Sequence, residues 1–281
     1  MKTRIATMAA MALLVVSCQK SEIDAEESDS QKITFRIGGN WQQSFTRSLT
    51  ADGKDMTDLW AFDYMDGQLV QTIHQAGTDN DFGQPTITMA NGQHQVYFVA
   101  SRGEDPSVDA ASHSITWSSV RDTFWKDYAV SVSASTNPSQ SVSLDRMVTR
   151  LRLSVNDLVP DDILSITTTS DVWYYGLDYL DGSAVSGRSL MSEIDVPEDY
   201  HGTTGNLVMS FFGFSDASEW YANLTVSAKN TDEEEIGRVE ILDAPFARNR
   251  TTEYSGSLFN GSSPFVVSLN TEWEEPQTLT W

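Results

Sequence analysis

The sequence offers chemistry one cysteine, four histidines and forty acidic residues. His74, His94, His113 and His201 are scattered, with no HxH or HExxH spacing that would set two imidazoles on one metal. Cys18 is the only cysteine, so the chain cannot form an internal disulfide, a CxxC redox pair or a thiolate zinc site. No GxSxG elbow, Walker loop or strand-borne GxGxxG is present. Carboxylates adjoin at Asp161-Asp162 and from Asp232 to Glu235, in polar stretches that read as turns and not as walls of a cleft. The segments Asp63-Tyr64-Met65-Asp66-Gly67 and Asp178-Tyr179-Leu180-Asp181-Gly182 echo each other and invite a calcium-loop reading. With the glycine aligned, the ligand positions fall on Phe62 and Tyr64 or on Leu177 and Tyr179, so hairpin turns are the better reading. The expectation is a protein with no catalytic residues, no metal ligands and no cofactor.

Cys18 has a different chemistry. Lys2 and Arg4 open the chain, an apolar run from Ile5 to Val16 follows, and Ser17-Cys18 closes it. The run is too short to span a bilayer and has the anatomy of an export signal. Small Ser17 before Cys18 resembles a lipobox, in which the thiol is acylated and cleavage makes the cysteine the first residue. Residues 1–17 are thus expected to be a lipoprotein signal. Residues 18–31, with Glu22, Asp24, Glu26, Glu27 and Asp29, read as a flexible acidic tether. An acidic cluster behind the lipidated cysteine resembles the surface-export signal of Bacteroidales-type lipoproteins. The net charge of −22 repels nucleic-acid phosphates, so no nucleic-acid partner is expected.

The elements beyond the tether have period 2. Ile33, Phe35 and Ile37 alternate with Lys32, Thr34 and Arg36, and Trp220 to Lys229 alternates in the same way. Asp-Gly and Asn-Gly pairs at 52–53, 66–67, 91–92, 181–182 and 260–261 favour tight hairpins. One segment reads as helix, with Ser119 and Asp122 as a capping box and Val120, Phe124 and Tyr128 on one face. The class is all-β with antiparallel sheets. Ser133 to Ser141 is the most linker-like internal stretch and suggests two domains, 32–141 and 142–281.

Most of the eight tryptophans lie in alternating strands and read as core; Trp41 and Trp281 are the better candidates for exposed contacts. Two strands have matching faces. Ile33, Phe35 and Ile37 near the front resemble in spacing Phe265, Val267, Leu269, Thr271 and Trp273 at the end, within the terminal segment 264–281. Either both are ordinary members of their own sheets, or the terminal strand of one molecule completes a sheet of the next by β-augmentation. Between them, Arg47-Ser48 adjoins a loop-like stretch and is a suitable site for a trypsin-like protease. A cut after Arg47 would release the lipid, the tether and the first strand together.

These features, with Met56 to Tyr64, Leu144-Asp-Arg-Met-Val-Thr-Arg-Leu-Arg-Leu153 and Arg248-Asn-Arg-Thr-Thr-Glu-Tyr-Ser-Gly256, resemble the Bacteroidales-type fimbrillins, a family of fimbrial subunits and cell-adhesion lipoproteins. The resemblance implies two transthyretin-like β-sandwich domains in tandem, export to the outer membrane with palmitate-type acylation of Cys18, cleavage by an arginine-specific protease at Arg47, and polymerisation with other fimbrial subunits by strand donation. It also implies a location on the cell surface and a host or glycan ligand. An anchor subunit that retains its lipid, and a surface glycan-binding β-sandwich lipoprotein, are the alternatives.

Overall fold

The computed structural model describes residues 29–39, 56–205, 207–216 and 219–260, and the backbone of 266–270. The first nine strands are β1 (Ser30–Gly39), β2 (Asp58–Met65), β3 (Gln68–Ala76), β4 (Thr86–Ala90), β5 (Gly92–Ser101), β6 (Ser107–Asp109), β7 (Ser114–Thr116), β8 (Thr123–Val132) and β9 (Ser139–Arg146). The remaining eight are β10 (Val148–Val155), β11 (Ile163–Asp178), β12 (Ala184–Asp195), β13 (Leu207–Phe214), β14 (Trp220–Asn230), β15 (Glu235–Phe246), β16 (Thr251–Gly256) and β17 (Val266–Asn270). Among the described residues the helical content is one 3-10 turn, Glu198–Tyr200, and no helix is long and apolar enough to cross a membrane. The all-β class is as the alternation requires.

Alternation builds the first sandwich. β3-β2-β5-β8 forms one layer and β9-β1-β4 the other, joined at a corner where β8 meets β9 only through Phe124–Arg146 and Trp125–Asp145. Ile33 and Phe35, Ile87 and Met89, and Val142 and Leu144 face Ala61, Val96, Phe98, Val130 and Val132 across the core. The Asp66-Gly67 pair makes the two-residue turn between β2 and β3, with φ of 51° and 74°, the left-handed region that such hairpins need.

The segment read as helix runs into strand β8. Ahead of the strand, Ser119 bridges Glu104 and Val120 joins the cluster of Trp117 and Phe214. Within β8, Phe124 and Tyr128 are spaced by four, an even number, and Val130 and Val132 continue the same face with period 2. The ladder to β5, Thr123 to Val132 against Ser101 to Gly92, satisfies backbone groups that a lone turn of helix would leave open. The linker-like stretch is also more ordered than its composition suggests. Ser133 to Pro138 turns back, with Thr136 N–H donating to Ser133 O at 2.9 Å, and leads into β9 of the first sandwich. The chain leaves that sandwich at Met147. Ser30 and Gln31, read as the end of the tether, belong to β1 and pair with Ala90 and Met89.

In the second half, β13-β10-β16-β17 packs against β15-β14-β11, with β12 on the other side of β11. Leu151, Leu153, Leu207 and Met209 face Ile166, Trp173, Leu224 and Val226. The β6–β7 hairpin, although from the first half of the chain, pairs with Gly176 to Asp178 of β11. A third core joins the halves. Trp60, Phe62 and Tyr64, on the second face of β2, pack with Trp117, Tyr179, Phe212 and Phe214. Phe62 and Tyr179 stack with centroids 3.9 Å apart and 2° between planes, and Trp117 stacks on Phe214 at 5.0 Å.

Candidate functional site

The first strand is the element that sequence reasoning singled out, and it sits in the middle of its layer. Its early residues pair antiparallel with β4 and its later ones, Thr34 to Gly39, pair parallel with β9. Thr34 N–H donates to Pro138 O at 2.8 Å, Phe35 N–H to Pro85 O at 2.9 Å and Ile37 N–H to Gly83 O at 2.8 Å, so the strand is bonded on both sides. Ile33 and Phe35 are fully buried and Ile37 is half-buried. Phe35 lies 5.1 Å from Phe98 and 5.9 Å from Tyr128, ring to ring. Burying each such side chain contributes about 1.5–3 kcal/mol. A sandwich without β1 would present a groove between β4 and β9, floored by Phe98 and flanked by Ile87, Met89, Val142 and Leu144.

The last strand is placed differently. Among the described residues β17 is the edge of its layer and pairs with β16 alone, Val266 to Asn270 against Ser255 to Thr251. Val267 and Leu269 lie on it. The chain is fixed just before it: the Asp157 carboxylate accepts the N–H groups of Leu258 at 3.1 Å, Phe259 at 2.8 Å and Asn260 at 3.0 Å. Cys18, Arg47, Ser48, Phe265, Thr271 and Trp273 lie outside the described residues, as do Trp41 and Trp281. The first and last strands are not neighbours: one is central in the first sandwich and the other is at an edge of the second.

The two arginine-rich motifs are brought together. β10 carries the end of the first and β16 the end of the second, and they pair in parallel, Arg150 with Thr251 through Leu153 with Tyr254. Arg150 Nε donates to Thr251 Oγ1 at 3.1 Å, and Arg152 faces Glu253. Arg146 makes a buried two-pronged bond to Asp122, Nε to Oδ1 at 2.7 Å and Nη2 to Oδ2 at 3.0 Å, and its Nη1 reaches Asn249 in the second half at 3.2 Å. Arg248 donates to the carbonyls of Ser215 and Gly182, and burial lowers its pKa from the ordinary value. Arg146 is thus a structural bolt between the halves, and Arg150, Arg152 and Arg248 brace the second half.

The echoed segments also meet. Both are reverse turns after strands, and the hydroxyls of Tyr64 and Tyr179 are 3.3 Å apart across the junction. Burial, together with the Tyr64 hydroxyl, raises the Tyr179 pKa. Trp60, Trp117 and Trp173 are buried in the cores, and among the described residues no group of histidine, cysteine and carboxylate side chains could hold a metal.

Sequence reasoning missed one buried polar pair. Asp63 Oδ1 and His94 Nδ1 are 2.8 Å apart with both side chains fully buried, and burial raises the Asp63 pKa while the bond to His94 opposes the rise. The signal was available in the alternation: Asp63 continues the face of Leu59 and Ala61, and His94 that of Val96 and Phe98, so two polar residues occupy core positions.

No protein-family model matches the chain, and no curated protein matches it in sequence. Solved structures match in fold. A candidate polysaccharide-binding protein of Bacteroides thetaiotaomicron aligns over 88% of this chain and 99% of its own at 11% identity, with a TM-score of 0.52. A candidate cell-adhesion protein of Parabacteroides distasonis aligns over 87% of this chain and 96% of its own at 12% identity, also with a TM-score of 0.52. The fimbrial anchor protein Mfa2 of Porphyromonas gingivalis aligns over 85% of this chain and 95% of its own at 11% identity, with a TM-score of 0.46, too low to bear on function. The likeness to these candidate polysaccharide-binding and cell-adhesion proteins of Bacteroides and Parabacteroides is one of fold.

Proposed function

We propose that the chain is a non-enzymatic subunit of a surface fimbria or adhesive structure, exported through Cys18 and assembled by exchange of its first strand. The observation that carries this reading is the placement of β1. It is the first element among the described residues, it is bonded on both sides, and it supplies fully buried Ile33 and Phe35 to a core that is otherwise built from later strands. A protease acting at Arg47 would cut between β1 and β2 and leave the rest of that core covalently whole. The vacated groove selects an extended segment with large apolar side chains at alternate positions, since its rims offer backbone groups to a strand. The terminal row Phe265, Val267, Leu269, Thr271 and Trp273 has that pattern. The edge position of β17 supports its role as donor, because an edge strand leaves its sheet with one ladder broken and not two.

The test is made on the cell-surface protein. Sequencing the mature N-terminus is expected to give Ser48, and sheared material is expected to run as a ladder of polymers that is lost on deleting residues 264–281. A lipidated Cys18 on a strictly monomeric protein, indifferent to that deletion, would reject the exchange and favour a lipid-retaining anchor or a glycan-binding lipoprotein.

A further inference from the structure

Asp63 and His94 plug one end of the first core, on the adjacent strands β2 and β5. His94 Nε2 lies 3.0 Å from the Ala90 carbonyl at the end of β4, and Ala90 pairs with Ser30 at the start of β1. The next residue, Asn91, donates its N–H to Asp29 O at 2.8 Å. The buried pair is therefore tied, through one carbonyl, to the corner where the first strand enters the sandwich. We propose that Asp63 and His94 form a proton-dependent clasp on that corner, tight while the pair shares one proton and loosened when it loses it.

The proton count follows from the partners. A carbonyl oxygen only accepts, so Nε2 carries a hydrogen. The 2.8 Å contact between Nδ1 and Oδ1 then holds one proton, on nitrogen or on oxygen, and the pair is neutral overall in either form. Removing it sets a nitrogen lone pair against a carboxylate in a site without water access, where Asp63 Oδ2 already has no hydrogen-bond partner. Adding a second proton leaves one uncompensated buried positive charge. An unfolded chain above about pH 6.5 carries an ionised aspartate and a neutral imidazole, one proton fewer than the folded pair. Stability of the corner therefore falls as pH rises beyond that value, by up to about tenfold in the opening constant per pH unit for a single proton. Below about pH 3.9 the unfolded chain holds one proton more than the pair, and stability falls again.

Other groups do not obscure this balance. Facing the same core are Gln71, Ile73 and Gln75 from β3, Met89 from β4, Ile33 from β1 and Tyr128, Val130 and Val132 from β8. Tyr128 is the one ionisable side chain among these, and its hydroxyl donates to Gln140 Oε1 at 2.9 Å. Burial raises the Asp63 pKa and the neighbouring His94 opposes the rise. The clasp stands on this geometry alone; its bearing on assembly rests on the exchange of β1 proposed above.

Hydrogen exchange of the β1 amides in the full, monomeric chain tests it, corrected at each pH for intrinsic rates. In the wild type the opening constant of residues 33–37 is expected to rise with pH above about 6.5, approaching tenfold per unit. Asp63→Asn, whose amide donates to neutral Nδ1 and does not titrate, is expected to be flat over the same range. Equal slopes in the two proteins, or a flat wild type, would overturn the proposal. If Asp63→Asn does not fold, the nitrogen shifts of His94 in the wild type decide. An Nδ1 shift that holds constant from about pH 5 to 9 while β1 protection falls supports the clasp, because the folded pair then keeps its proton where the unfolded chain has lost it, and a step in Nδ1 near the reference imidazole value of about 6.5 removes it. Because exchange is read on single chains, failed polymerisation would count against strand exchange and leave the clasp untouched.

Discussion

At the residue scale, two side-chain pairs carry more than their surroundings. Arg146 and Asp122 are both almost wholly buried, and Arg146 also lies over the Phe124 ring, 4.8 Å from its centroid. Removing one partner strands the other charge, so Asp122→Ala is expected to lower the unfolding free energy by about 3–5 kcal/mol in urea titrations. Arg146→Met combined with Asp122→Leu should recover part of that loss, because the pair's gross attraction is largely offset by its desolvation. Tyr64 and Tyr179 behave in the opposite way. Each hydroxyl has the other as its partner at 3.3 Å, a long and neutral bond worth about 1 kcal/mol at most. Tyr64→Phe and Tyr179→Phe are expected to cost similar small amounts, and the double variant no more than either, since one bond is lost in all three.

At the element scale, the strands differ in how many faces they bury. β1 buries one, and the ranking of its side chains follows exposure. Phe35→Ala is expected to cost about 3–5 kcal/mol, and Ile37→Ala distinctly less because Ile37 is half-exposed. β13 is buried along its whole length, with Leu207 and Met209 in the second core and Phe212 and Phe214 in the junction. There is no slack around it. A Cβ added at Gly213 would stand 2.7 Å from Trp173 Cε2 and Nε1, and that indole is held by its bond to Phe212 O at 2.8 Å. Gly213→Ala should therefore destabilise by about 1–3 kcal/mol through overpacking, measured as a lowered denaturation midpoint with an unchanged m-value.

At the scale of the whole molecule, the third core makes the halves interdependent. The junction contains stacked aromatic pairs, the Arg146 bolt to Asn249 and a hairpin, β6–β7, that originates in the first half and pairs in the second. Thermal unfolding is expected to show one transition, and Phe214→Ala should both lower it and split it, as calorimetry would reveal. Two transitions in the wild type would show the junction to be weaker than its packing implies. For a subunit that transmits tension, such a junction would limit bending between the halves.

The sequence by itself determined the all-β class, the turn at Asp66-Gly67 and the inward face of β1, because these depend on local alternation and on the φ values that glycine and aspartate tolerate. Its local patterns also read Cys18 as an export device. Only the tertiary structure decided which faces meet. Period 2 says that a strand has an apolar side, but not that β2 and β13 have two, nor that β8, with apolar residues at a spacing of four, finds a ladder in β5 and forms no helix. The parallel pairings of β1 with β9 and of β10 with β16 join residues about a hundred positions apart, where no local pattern reaches. For the same reason Asp63 and His94 read in sequence as two interruptions of a core pattern. Their shared proton exists only because the sheet sets the strands side by side and closes the core over both.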